Sequence, residues 1–166
     1  MEKALDTLPA ELFTAYKEVT DRISKSDKEM GDAGMQALTW IFHAARPLQM
    51  DELRVVLDIE DGHWKIDDEP QFTPADIIEM CQSLVVYEES SGAVRFVHPT
   101  VQEFLRSFNF SDIVLAKTCL TYFDAFDDIC LDDESMEIRL KRYRFCTYIC
   151  CEILGISRSR RSGKSL

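Results

Sequence analysis

Apolar residues recur along this chain at three- and four-residue spacing, and each such stripe predicts a helix with one buried face. Leu12, Tyr16, Val19 and Ile23 form the first stripe, over about Pro9 to Ser24. Pro9 sits in the first turn, where a missing N–H costs nothing. Ser24 to Gly34 is polar, holds Gly31 and Gly34, and predicts a linker. Ala37, Leu38, Ile41, Phe42 and Ala45 then share one face of a second helix. Pro47 ends it, because proline disfavours helical geometry in the residue before it. A short helix over about Met50 to Leu57 turns Met50, Leu53, Val56 and Leu57 inward. Ile59 to Phe72 is acidic and irregular, with one short strand expected where Trp64 and Ile66 flank Lys65.

Thr73-Pro74-Ala75-Asp76 opens the next helix, with Thr73 as cap, Pro74 in the first turn and Asp76 reaching back as in a capping box. Its inward face is Ile77, Ile78, Cys81 and Leu84. Leu84 to Tyr87 is a β-type run, Glu88 to Gly92 a turn, and Val94 and Phe96 alternate with Arg95 and Val97. That pattern predicts a hairpin with a loop of about five residues. Val101, Phe104, Leu105 and Phe108 mark a helix from near Pro99. Ser111 caps another through Phe123, Asp124 to Glu134 is acidic, and a last helix over about Ser135 to Leu154 carries Met136, Leu140, Tyr143, Thr147, Cys150 and Leu154.

Three helices followed by a twisted hairpin is the order of a winged helix. The three helices leave one side of their core open, and Val85, Val94 and Phe96 on the hairpin close it. The expected fold is therefore mainly α with a small β-hairpin, a winged-helix core between N-terminal and C-terminal helices. The expected division is a helical segment over 1–30, the winged helix over 31–108, a helical extension over 109–155 and a basic tail over 156–166.

Charge changes what such a fold can do. The chain carries 19 basic and 30 acidic residues, a net −11. Arg158, Arg160, Arg161 and Lys164 all lie in the last eleven residues, so residues 1–155 hold a net −15. A surface that negative repels phosphate backbones and anionic lipid. No run of 18 apolar residues and no signal peptide is found, so no membrane association and a cytoplasmic location are expected. The six cysteines, Cys81, Cys119, Cys130, Cys146, Cys150 and Cys151, lack paired metal-ligand spacing, and core packing is the expected role.

Several stretches, in order, resemble a known family. They are Leu8-Pro9 with Leu12, Tyr16, Arg22 and Ile23; Trp40-Ile41 followed by Ala44-Ala45-Arg46-Pro47-Leu48 and Asp51-Glu52-Leu53; Asp76-Ile77-Ile78-Glu79 with Cys81 and Ser83-Leu84-Val85; and Val94, Phe96-Val97-His98 and Thr100-Val101-Gln102-Glu103-Phe104-Leu105. Cys119-Leu120-Thr121-Tyr122 and Arg139-Leu140 with Tyr143 and Phe145 extend the match. Together they resemble the winged-helix region of "GPI inositol-deacylase winged helix" type found between NACHT and ankyrin-repeat regions of fungal signal-transduction ATPases. The chain departs from the pattern at Gln49, where Thr or Ser would cap, at Pro99 directly after His98, and beyond Glu152. No NACHT ATPase precedes the match, so a truncated or fragmentary family member is expected.

The resemblance implies a non-catalytic regulatory latch that folds over bound ADP and swings out on nucleotide exchange, a two-state element biased by its ligand. It implies a nucleotide-sensing role for His98, the match to a histidine that meets the ADP β-phosphate at the start of the helix after the wing. Capping its own helix or packing beneath the wing is the rival reading. ADP or ATP would enter only with a NACHT partner, and the chain needs no cofactor of its own. Trp40, Phe108 and Tyr143 are candidate interaction residues, for a NACHT-type ATPase domain or for self-association.

Two other functions compete. Sequence-specific DNA binding would need Arg, Lys, Asn or Gln facing out of the third helix, and Thr73 to Leu84 offers Asp76, Glu79 and Gln82 with no Lys or Arg. A hydrolase would need a nucleophile elbow, and Gly155-Ile156-Ser157-Arg158-Ser159 lacks its second glycine. A Cys–His dyad of Cys81 with His43, His63 or His98 is arithmetically available, but Cys81 falls on an inward helix face. Acidic pairs such as Asp67-Asp68, Asp127-Asp128 and Asp132-Asp133 fit solvated loops. Ser162-Gly163-Lys164-Ser165 mimics the end of a phosphate-binding loop, but Arg158 stands where that loop needs glycine. No catalytic residue and no metal ligand is expected.

Overall fold

The computed structural model describes residues 9–59, 71–108, 110 and 115–122. Helix α1 (Ala10–Lys25) leads through Ser26 and Asp27 into α2 (Lys28–His43). Strand β1 (Leu48–Gln49), α3 (Met50–Leu57) and α4 (Pro74–Met80) follow, then β2 (Val85–Glu88), β3 (Ala93–Phe96) and α5 (Pro99–Leu105). Residues 115–122 are also helical. The three strands form an antiparallel sheet in the order β1-β3-β2. Helix, strand, helix, helix, hairpin is the order of a winged helix, and β3 pairs with both neighbours as that fold requires.

Ser24 to Gly34, expected as a linker, is helical except at Ser26 and Asp27. Gly31 and Gly34 lie inside α2. The boundary drawn between residues 30 and 31 therefore falls within a helix. These glycines are contact points. A Cβ on Gly31 would lie 2.7 Å from the Ile23 carbonyl oxygen, and one on Gly34 would lie 2.8 Å from the Met80 carbonyl oxygen and 3.0 Å from Ile23 Cγ2. Their bare backbone lets α2 touch both α1 and α4. Ala37, Leu38, Leu53, Val56, Ile77, Val94, Val101 and Leu105 are fully buried, and Ile23 of α1 joins the same core.

Helix α2 stops at His43, four residues before Pro47, and Ala45 is exposed rather than inward. The early stop frees the chain for a clamp. Arg46 donates from both terminal nitrogens to Glu52, at 2.9 and 2.7 Å, and the Glu52 side chain is only 3% exposed. Glu52 also accepts the Gln49 backbone N–H at 2.9 Å. The carboxylate of the third helical residue thus caps α3, supporting a start where Gln49 replaces the usual hydroxyl residue.

Strand β1 has no counterpart in the sequence pattern, because two residues are too few for a period to register. Leu48 pairs with Val94 and Gln49 with Ala93. The Met50 N–H donates to the Gly92 carbonyl at 2.9 Å. Gly92 has φ +71 at the end of the wing turn, a backbone conformation that favours glycine. The wing itself pairs Val85 with Phe96 and Tyr87 with Val94, in the expected hairpin. Helix α5 ends at Leu105, short of Phe108. The suggested strand at Trp64 to Ile66 and the helix over about Ser135 to Leu154 lie outside the described residues.

Helix α1 docks on α5 through aromatic rings. Phe13 and Tyr16 lie 5.0 and 5.6 Å from the Phe104 ring, centroid to centroid. The apolar stripe of α1 is therefore covered largely by this chain, with Phe13 left 39% exposed.

The α2 contact gives a direct test. Gly34→Ala gains about 1 kcal/mol of helix propensity but forces a Cβ against backbone that cannot yield cheaply. The expected net loss is about 1–2 kcal/mol, a fall in Tm of roughly 3–8 °C, measured by circular dichroism.

Candidate functional site

The face that a winged helix offers to partners is α4 with the hairpin behind it. Thr73 builds its start. The Asp76 N–H donates to Thr73 Oγ1 at 3.2 Å, while the Thr73 N–H and hydroxyl donate to Asp76 Oδ2 at 2.8 and 2.7 Å. The reciprocal capping box expected from the sequence is present. The Thr73 hydroxyl first, and its backbone N–H second, hold the Asp76 carboxyl below its ordinary 3.8. Helix α4 ends at Met80 with Cys81 as its C-cap, and Gln82 and Ser83 follow with φ 49 and 63. Two successive non-glycine residues in the left-handed region turn the chain sharply into β2.

This face is rich in carboxylates, and from Thr73 to the end of β3 its single cation is the exposed Arg95. From Thr73 to Ser91 the sequence holds no Lys or Arg, and Glu79, Glu88 and Glu89 are exposed. Ile78, predicted to turn inward, is only half-buried, and Tyr87 on β2 is half-buried too. They share an open groove of about 750 Å³ with Pro74, Ala75, Glu79 and Glu89. Ile77, Cys81 and Leu84 face the core as expected, and Met80 joins them.

His98 stands at the N-cap of α5, with extended backbone at φ −149 and ψ 146 and Pro99 in the first turn. Its side chain is exposed, and Nδ1 accepts from the Thr100 N–H at 3.2 Å. The Thr100 hydroxyl lies 2.8 Å from Nδ1 and 2.8 Å from the Tyr16 hydroxyl. With Nδ1 as acceptor the ring proton resides on Nε2. His98 therefore does cap its own helix, and Pro99 is accommodated without disturbing that cap.

The other candidates fall out differently. Trp40 is 2% exposed, so it packs inside the core and offers no surface to a partner, a correction to its expected interaction role. Its place on the buried face of α2, between Ala37 and Ile41, carries the reason. Phe108 is half-buried, 5.2 Å from Phe104 and 5.8 Å from Phe110 in an aromatic chain. Tyr143 and His63 lie outside the described residues.

The thiols bear on enzyme chemistry. Burial pushes Cys81 up to about 12 and Cys119 up to about 11. A thiol so shifted is a poor nucleophile at neutral pH. Cys81 is sealed in the core, whereas His43 and His98 are exposed. Among the described residues no group of three His, Cys, Asp or Glu is placed to hold a metal. No helix among them is long and apolar enough to cross a membrane.

The family described as "GPI inositol-deacylase, winged helix domain" matches residues 21–113, more than half of the chain. No curated protein and no solved structure matches it.

Thr73→Ala should cost about 1 kcal/mol near neutral pH, read by urea unfolding. Because the folded Asp76 lies below 3.8, the unfolded chain binds more protons just under that value. Its contribution is complete above 3.8 and is lost as pH falls through the folded value, so the gap between variant and wild type narrows there. Cys81 should resist alkylation by a maleimide until denaturant is added, checked by peptide mapping.

Proposed function

The chain belongs to the GPI inositol-deacylase winged helix domain family, and from that premise we propose that it is a non-catalytic regulatory module that docks on a NACHT-type ATPase domain as a latch. The observation that carries this reading is the charge of the α4 and wing face. Nucleic-acid-binding winged helices send the third helix into the major groove and need cations against phosphate. Here Thr73 to Phe96 holds Asp76, Glu79, Glu88 and Glu89 against the single cation Arg95. The fold is kept while its use on DNA is closed off by repulsion, which leaves protein contact as its task.

His98 is the residue through which such a module would feel nucleotide. Its Nδ1 is engaged by Thr100, its ring is exposed, and Nε2–H is left to donate. A phosphate oxygen of ADP, bound by the ATPase, is a suitable acceptor. The histidine directly follows the wing at the start of the next helix, the position that the resemblance assigns to a sensor. The partner, the nucleotide and a cytoplasmic setting are parts of this proposal.

Reconstitution tests it. Added to a NACHT-type ATPase domain, the chain should slow ADP release, and His98→Ala should forfeit about tenfold of that effect, one hydrogen bond to a charged group. Equal ADP release with and without the chain would sink the latch. A low-salt gel shift with duplex DNA should show no complex, and a retarded band would favour the nucleic-acid reading instead.

A further inference from the structure

We propose that the groove between α4 and the first wing strand is a docking site for a basic polypeptide segment anchored by one apolar side chain. Pro74, Ala75, Ile78 and Tyr87 supply its apolar lining, and Glu79 and Glu89 its charge. The remaining lining, Gln82 and Ser83, is neutral, so no cation faces the groove. Ile78 and Tyr87 pack on the core with one side and line the groove with the other, which sets apolar surface between the carboxylates. Both are half-buried, one on the helix and one on the strand.

That combination selects its occupant by charge. Lys and Arg lay their methylene stems along apolar surface and carry their heads to carboxylates. An arginine over Tyr87 would gain from the ring as well. An acidic or phosphate-bearing partner meets only like charge. At about 750 Å³ the groove has room for a short peptide stretch, within the range of ordinary ligand clefts.

The groove is also built in advance. The capping box fixes one end of α4, and the left-handed turn at Gln82 and Ser83 fixes the other. Little ordering is needed on binding, which removes one of the main costs of peptide recognition. The net −15 over residues 1–155 adds long-range attraction for a cation, so association should weaken with salt. None of this needs a nucleotide or an ATPase, so the groove proposal and the latch proposal fail separately.

The probe is a fluorescent Lys-Arg-Leu-Arg-Lys peptide, titrated into the full chain and followed by anisotropy. Saturable binding is expected, with loss of about tenfold in affinity when glycine replaces the peptide's leucine, or in Glu79→Lys/Glu89→Lys. Both glutamates are exposed, so the double variant should fold. Ala75→Gln, which sets a longer neutral side chain at the lining of the groove, should weaken binding in the same direction. Amide shifts in nuclear magnetic resonance should gather between residues 74 and 89. Absence of saturable binding, equal affinity in both protein variants, or shifts confined to another face would overturn the proposal. So would a duplex DNA oligonucleotide that displaced the peptide from the groove.

Discussion

The structure depends on how closely α2 can approach its neighbours. Gly31 and Gly34 sit one turn apart on that helix and present bare backbone to the carbonyls of Ile23 and Met80. At those distances no side chain fits. Helix α1 and helix α4 are thereby brought against the same helix, and Trp40, Leu38 and Ala37 fill the space farther along it. Because α4 is held there, its opposite face points away from the core, and that outward face is the one with the carboxylates.

A second constraint sets the path of the chain after α2. Burying the Glu52 carboxylate is tolerable only because the Arg46 guanidinium grips it with two bonds and the Gln49 N–H supplies a third. The clamp turns the chain so that Leu48 and Gln49 meet β3 before α3 begins. Arg46-Pro47-Leu48 and Glu52 are also among the residues that carry the family resemblance. Their role here is structural: they close a loop and add the third strand to the wing.

Most of this architecture was legible because its signals are periodic or chemically specific. Met50 to Leu57 emerged with its boundaries and its inward face intact, and Thr73 with Asp76 announced a capping box that the structure contains. What escaped was either too short or ambiguous. A two-residue strand has no period to detect. Gly31 and Gly34 carry the same letters whether they break a helix or let one approach another, and only the packing decides. Trp40 was misplaced because an aromatic residue serves cores and interfaces alike. The acidic face was visible as composition, but the groove in it was not: Ile78 and Tyr87, nine residues apart in sequence, come to line one groove through the turn at Gln82 and Ser83.

The hydroxyl of Tyr16 reaches across 84 residues of sequence to Thr100, and Thr100 in turn orients the imidazole of His98. The first helix is thus wired to the rotamer of a residue beyond the wing. Any tilt of α1 must either stretch that bridge or drag the ring along with it. A lesion in α1 would therefore surface as a misaimed histidine, distant in sequence though adjacent in space, with the intervening wing left unharmed.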